Sequence, residues 1–289
     1  MDNTVTEMIN AFEEFASSIK QKNHRYLSWE HCYQQFRSAR LERDKKEPDL
    51  DYLSLQLAFY LASWGMYRGS SFLLQRDYKV HIPIVKEILK SEYDCLQGLE
   101  CDNLLADKIV QERLVEIDTK LEQFYKAIRQ SVVNKDIKNS ISKILITKVL
   151  LGTLGCTPAY DRFFILGARK TKVTSGLFSL HSMKRLAAFY EENKSQFEAV
   201  REKYRIGDQR YPQMKLLDMV LWQIGTKSKI GKTNSLNASG LNMQKFRHYV
   251  AVAQRFNHLK ILQSPLNLQF NGDFYYVRSL SNFANGKVT

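Results

Sequence analysis

Residues 102–131 carry Leu104, Leu105, Ile109, Leu114, Ile117, Leu121, Phe124, Tyr125 and Ile128 at spacings of three and four among charged neighbours. A period near 3.6 gathers those side chains on one side of a helix, so the stretch predicts a long amphipathic helix whose apolar stripe is a core face. A second segment, 51–76, holds Leu55, Leu57, Phe59, Leu61, Trp64 and Met66, is apolar nearly all round, and predicts a helix deep in the fold. A third, 141–154, is apolar at 141, 144, 145, 149, 150, 151 and 154, with Gly152 and Gly155 near its end. Three more helices are predicted at 181–205, 213–225 and 242–262. No Pro/Ser/Gly linker or internal repeat separates halves, so the expectation is a mainly α chain forming a single compact unit over 1–289.

Two stretches break the helical pattern. Residues 225–241, GTKSKIGKTNSLNASGL, form a polar run that predicts a mobile basic loop. In LNLQFNGDFYYV, 266–277, Asn271 and Gly272 separate two alternating runs, the strongest short signal for a small β-hairpin near the carboxyl end.

With 289 residues, 44% of them apolar and only 18 Gly or Pro, the composition is globular and excludes a disordered or collagenous chain. No run approaches the roughly 18 apolar residues that a membrane span needs, and the amino terminus MDNTVTEMINAFEEF is polar and acidic. The expectation is a cytoplasmic protein with no membrane partner. Cys32, Cys95, Cys101 and Cys156 form no CxxC pair, so buried free thiols are expected, with no metal and no cofactor.

The net charge of +13 is unevenly spread. Residues 1–130, an acidic-to-neutral half, carry 18 basic and 21 acidic side chains, a net −3; residues 131–289 carry 25 and 9, a net +16. An excess of that sign on part of one fold attracts polyanions, of which nucleic acid is the usual one, although a solubilising basic surface has the same composition. The phosphate contacts expected are Arg162, Arg169, Lys170 and Lys172, with Lys227, Lys229 and Lys232 in the basic run.

The segment most suggestive of chemistry is 143–168, KILITKVLLGTLGCTPAYDRFFILGA: an apolar helix, a glycine break, a proline, then Asp161 opening another helix. A carboxylate there meets the positive end of a helix and accepts backbone N–H bonds, whether as an ordinary cap or as part of a site. Within LASWGMYRGSSF, 61–72, Trp64, Met66, Tyr67 and Arg68 crowd around Gly65 and Gly69, which suits either a core helix or a pocket that stacks a planar ring. Asp218, inside the apolar MKLLDMVLWQIG, must pair or hydrogen-bond, and a helix–helix hydrogen bond is the simplest expectation.

The order of a basic residue, an apolar helix ending in glycine, then Pro158, two residues and Asp161 before another apolar helix resembles the helix-hairpin-helix DNA glycosylase superfamily. Lys143 and Asp161 lie 18 residues apart, a spacing similar to the endonuclease-III-like branch. The hairpin segment itself, VVNKDIKNSIS at 132–142, has no glycine, and the four-cysteine cluster of some members is absent. The resemblance implies a multi-helix glycosylase-like fold and an N-glycosylase that flips a base of double-stranded DNA into a pocket. It also implies that Asp161 stabilises positive charge on the sugar or activates a water, and that Lys143, if the enzyme is bifunctional, is a Schiff-base nucleophile that adds strand nicking. Trp64, Met66, Tyr67 and Arg68 would line the base pocket. LASWGMYRGSSFLLQ and YPQMKLLDMVLWQIG are also similar to segments of uncharacterised bacterial proteins, and through them to phage-defence glycosylases that remove glucosylated hydroxymethylcytosine.

Two rival readings use other residues. Arg76, Asp77 and His81 resemble the Arg-Asp-x-x-x-His motif of the HEPN ribonucleases, which implies RNA cleavage, although Pro83 places His81 near a helix end as an ordinary surface histidine. A non-enzymatic DNA-binding protein would instead read DNA with the helix at 242–262, through Gln244, Lys245, Arg247, His248, Gln254 and Arg255, beside the hairpin at 266–277.

Overall fold

The computed structural model describes the backbone of residues 3–133 and 140–238, with side chains as far as residue 228. The chain divides into two compact units, Met1–Thr233 and Asn234–Thr289, where continuity of composition predicts one. The first unit is mainly α. Its elements are α1 (Asn3–Ile19), α2 (Leu27–Glu42), α3 (Leu50–Ser63), α4 (Ile82–Ile88), α5 (Cys101–Ala106), α6 (Lys108–Gln130), α7 (Lys143–Thr153), α8 (Arg162–Lys170), α9 (Leu180–Glu192) and α10 (Lys194–Lys203). A two-stranded antiparallel ladder, β1 (Arg205–Ile206) and β2 (Gln209–Arg210), precedes α11 (Gln213–Ala238). No helix among the described residues is long and apolar enough to cross a membrane.

The apolar stripe read in 102–131 does face the core: Leu104, Leu114, Ile117, Leu121 and Tyr125 are buried, whereas Ile109 is exposed. The stripe is carried by two helices, because the Asp107 carboxylate accepts from the N–H groups of Ile109 and Val110 and so caps a new helix at Lys108. The 181–205 helix is likewise divided, at Asn193. The 51–76 segment is helical only to Ser63: Gly65 and Gly69 take φ of +75° and +57°, the left-handed region that ends helices, and short 3-10 turns follow at Phe72–Gln75 and Tyr78–His81.

The basic run begins differently from the predicted loop, because α11 continues through 225–238. A polar run with no proline has nothing to stop it from extending a helix already nucleated by its buried first turns. Gly225 stays helical for a packing reason: a Cβ there would sit 1.9 Å from the Phe163 carbonyl oxygen of α8, and one on Gly167 of α8 would sit 1.8 Å from that of Leu221. These two glycines let α8 and α11 cross backbone to backbone. The hairpin of the first unit is at 205–210, around Gly207 with φ of +62° and Asp208, a two-residue turn signal of its own. The predicted hairpin at 266–277 and helix at 242–262 lie outside the described residues, as do 239–241 of the basic run.

The core is continuous. Helix α2 packs on α3 and α7, α6 on α7, and α5 against α9. Trp29, Phe36, Tyr60, Tyr125 and Phe164 are among its fully buried rings. All four cysteines are free thiols; three are buried as expected, but Cys95 is exposed.

Candidate functional site

Helix α7 is apolar apart from Thr147, Lys148 and Thr153 along its buried length. Thr147 Oγ1 donates to the Ala159 carbonyl at 2.6 Å and Thr157 Oγ1 to the Thr147 carbonyl at 3.2 Å, tying the turn after α7 back onto the helix. Gly155 makes the reversal with φ of +66°; a Cβ there would meet Pro212 and Tyr33 at 2.8 Å. Tyr160, a bulky residue, is also held in the left-handed region, with φ of 45°. Such a conformation is costly and needs support. Its hydroxyl meets Ser182 Oγ at 2.8 Å, and Ser182 in turn meets Thr174 at 2.6 Å.

The turn delivers Asp161 to the start of α8. Its Oδ1 accepts from the N–H groups of Phe163 and Phe164 at 3.0 and 3.1 Å, and its other oxygen lies 3.5 Å from Lys148 Nζ. Lys148 also donates to the Trp64 carbonyl at 2.8 Å, at the carboxyl end of α3. One turn inside α11, Lys215 and Asp218 form a second pair at 3.0 Å, and Asp218 Oδ1 accepts from the Ala159 N–H at 2.9 Å. Asp218 thus holds the turn that presents Asp161, where a simple helix–helix bond was expected. Side-chain exposure is 5% for Lys148, 14% for Asp161, 4% for Lys215 and 6% for Asp218.

Aromatic rings enclose these charges. The Lys215 ammonium lies 4.9 Å from the centre of the Trp29 ring and 5.5 Å from that of Trp64, and the Lys148 ammonium lies 5.8 Å from Trp64. Tyr26 stacks on Trp64 at 5.2 Å, and Trp222 meets Trp64 edge-on at 6.0 Å. Tyr60, Trp64, Lys148, Ala159, Asp161, Lys215, Asp218 and Trp222 line a cavity of about 10 Å³, room for a single water-sized molecule. The Trp64 indole N–H has no hydrogen-bond partner among the described residues. Burial pushes the Lys148 amine below the ordinary lysine value; Asp161 and Asp218 oppose that shift and Arg68 reinforces it.

Of the four residues expected to line a base pocket, only Trp64 lines this cavity. Met66 packs on the core, and the Tyr67 hydroxyl meets His81 Nε2 at 2.7 Å. Arg68 is exposed and folds its guanidinium over Gly65. Lys143 does not reach Asp161. It is half-exposed, 2.8 Å from Asp118 and 2.7 Å from Glu122 on α6, and although its partial burial opposes the change, these carboxylates raise its pKa.

The expected phosphate contacts also divide. Lys170 is paired with Glu7 and Lys227 with Glu14, both at 2.5 Å, on α1. Arg169 Nε donates to the Ser175 carbonyl at 2.9 Å, Lys172 is exposed with φ of 59°, and Arg162 lies over the Phe163 ring at 4.6 Å. The side chains of Lys229 and Lys232 are outside the described residues. Arg25, which sequence reasoning passed over, donates to the Ser63 carbonyl at 3.1 Å and lies 5.3 Å from the Trp64 ring centre.

In the ribonuclease-like motif Arg76 and Asp77 are exposed and His81 is not. His81 is fully buried, where a surface histidine was expected, between the hydroxyls of Tyr67 and Tyr125 at 2.7 and 2.9 Å. Arg76 bonds the carbonyl and hydroxyl of Ser131, and Asp77 caps the 3-10 turn that ends at His81.

No protein-family model, curated protein or solved structure matches this chain.

Proposed function

We propose that the protein is a DNA N-glycosylase whose active site is the Lys148–Asp161 cavity, acting on a damaged or modified base. The observation that carries the proposal is the joining of a helix-capping carboxylate and a buried lysine of lowered pKa in one aromatic-walled cavity. Perturbed titration in an enclosed polar cluster is a feature of catalytic sites.

Cleavage of the bond between base and sugar sends the bonding electrons out with the base and leaves positive charge on the sugar ring. The Asp161 carboxylate, fixed by two backbone N–H groups, stabilises that charge without reorganising. Lys148, once its proton has passed to solvent, attacks the sugar carbon as the base departs with the bonding electrons, forming a C–N bond that ring opening converts to a Schiff base. It takes the role that the sequence resemblance gives to Lys143. The present cavity is far smaller than a base, so entry displaces Trp64 and the segment behind it. Arg25, Arg68 and Arg162 make no ion pair with a carboxylate among the described residues and supply cations for the flanking phosphates. A glucosylated hydroxymethylcytosine of phage DNA, and hence a role in antiviral defence, is the substrate that the sequence resemblance favours.

The test is incubation of the purified protein with normal, damaged and phage-modified DNA, followed by mass spectrometry of released bases and borohydride trapping. Release of a free base, with a covalent adduct on Lys148, is expected. Release of no base from any of the three, with no adduct, contradicts the proposal.

A further inference from the structure

A second concavity, of about 330 Å³, is lined by side chains from α2, from the segment after the Ser91–Leu96 turn, and from the end of α10 with the β1–β2 hairpin. Four guanidiniums line it: Arg37, Arg201, Arg205 and Arg210. Their carboxylate partners divide them. Arg201 is buried and held by Glu100 and Glu198 at 2.5 and 2.9 Å, so it is a fixed part of the wall. Arg205 and Arg210 share Glu202 at 2.9 Å, in pairs about half-exposed on both sides, and Arg210 also reaches Glu198 at 3.4 Å. Exposed pairs of that kind contribute little and exchange readily for another anion. Asp208 lies on the rim and opposes an anion. Arg37 is half-buried and makes no hydrogen bond or ion pair among the described residues, so its charge is uncompensated. Beside it, both polar atoms of the Gln97 amide are buried without a hydrogen bond of good geometry, although the Tyr33 hydroxyl is close.

A guanidinium with no carboxylate partner, set among three others that line the same groove, offers a tetrahedral oxyanion a charged anchor, and the Gln97 amide beside it a further donor. We propose that this groove binds a phosphate group, with Arg37 as its anchor, Gln97 as a second donor, and Arg205 and Arg210 closing over it as they release Glu202. The site is separate from the Lys148–Asp161 cavity: the Tyr33 and Trp29 rings, stacked at 5.0 Å, stand between the groove and Lys215. The inference does not depend on glycosylase activity. A nucleic-acid backbone and a free phosphate ester both present such a phosphate.

Calorimetric titration of the whole protein with inorganic phosphate and with pyrophosphate tests it, using wild type, Arg37→Ala, Arg37→Lys and Asp161→Asn. The expected result is saturable one-site binding, weakened about tenfold by Arg37→Ala, less by Arg37→Lys, and unchanged in Asp161→Asn. Competition by a short DNA duplex assigns the groove to backbone phosphate, and competition by a mononucleotide alone assigns it to a free ester. Absence of saturable binding to either anion, or equal affinity in wild type and a folded Arg37→Ala, overturns the proposal.

Discussion

Five lysines of the first unit fall into two groups, two of them buried and three half-exposed. Lys148 and Lys215 are buried, each beside an aspartate and against aromatic rings. Lys143, Lys170 and Lys227 are half-exposed, each beside acids on α6 or α1. The contacts are similar in kind, but the first group sits where water cannot screen it, and a lost partner leaves a charge with nothing to solvate it. In the second group water takes the partner's place. Six basic residues of the second half, Lys143, Lys170, Lys194, Arg201, Lys203 and Lys227, pair with acids of the first, so net charge by segment does not by itself locate a site.

The sharpest way to break this contrast is Asp218→Ala, which strips Lys215 of its carboxylate and the Ala159 N–H of its acceptor. Loss of one member of a buried pair costs about 3–5 kcal/mol, read from chemical denaturation. If that loss is indistinguishable from zero, the pair is not desolvated as the structure has it. Next comes Gly167→Ala, which forces α8 away from the Leu221 carbonyl of α11. Overpacking of this kind costs about 1–3 kcal/mol or more, and thermal unfolding should show it while the surface pairs stay intact.

His81 offers a third case, a buried base with two tyrosine hydroxyls and no acid. Burial pushes its pKa down to about 3 from an ordinary 6.5. Between those values the unfolded chain binds a proton that the folded chain does not. Stability from this group is therefore full above pH 6.5 and falls as pH drops toward 3, at up to about 1.4 kcal/mol per pH unit. Denaturation midpoints of wild type and His81→Gln, followed across that window, should converge toward acid if the sign is right. The smallest effects belong to Lys170→Ala and Lys227→Ala, each at most about 1 kcal/mol and smaller in high salt.

Helix existence was legible from periodicity, because burial of an amphipathic face dominates it; Leu114, Ile117 and Leu121 face inward as their spacing demands. The boundaries were less so. Asp107 and Asn193 interrupt helices whose apolar pattern runs on, since a cap is a local event that periodicity does not register. Asp161 was legible as a helix-opening acid, but its lysine was not. Lys143 and Lys148 share α7 and differ by five residues, about 140° around the helix, so one points toward the acids of α6 and the other into the cavity. A signal for the inner one existed: Lys148 and Lys215 each stand alone among apolar neighbours, and such a charge must find a partner. The rings that assemble the cavity come from α2, α3, α11 and the residues at their ends, a convergence that no local pattern carries.

The central claim is that base excision runs through Asp161 in the Lys148 cavity, and released-base mass spectrometry on modified DNA tests it with three proteins side by side. The account predicts free base from wild type and from Lys143→Ala, and a loss on the order of 10²–10³-fold in Asp161→Asn. Undiminished release by a folded Asp161→Asn, or loss of release in Lys143→Ala alone, contradicts it.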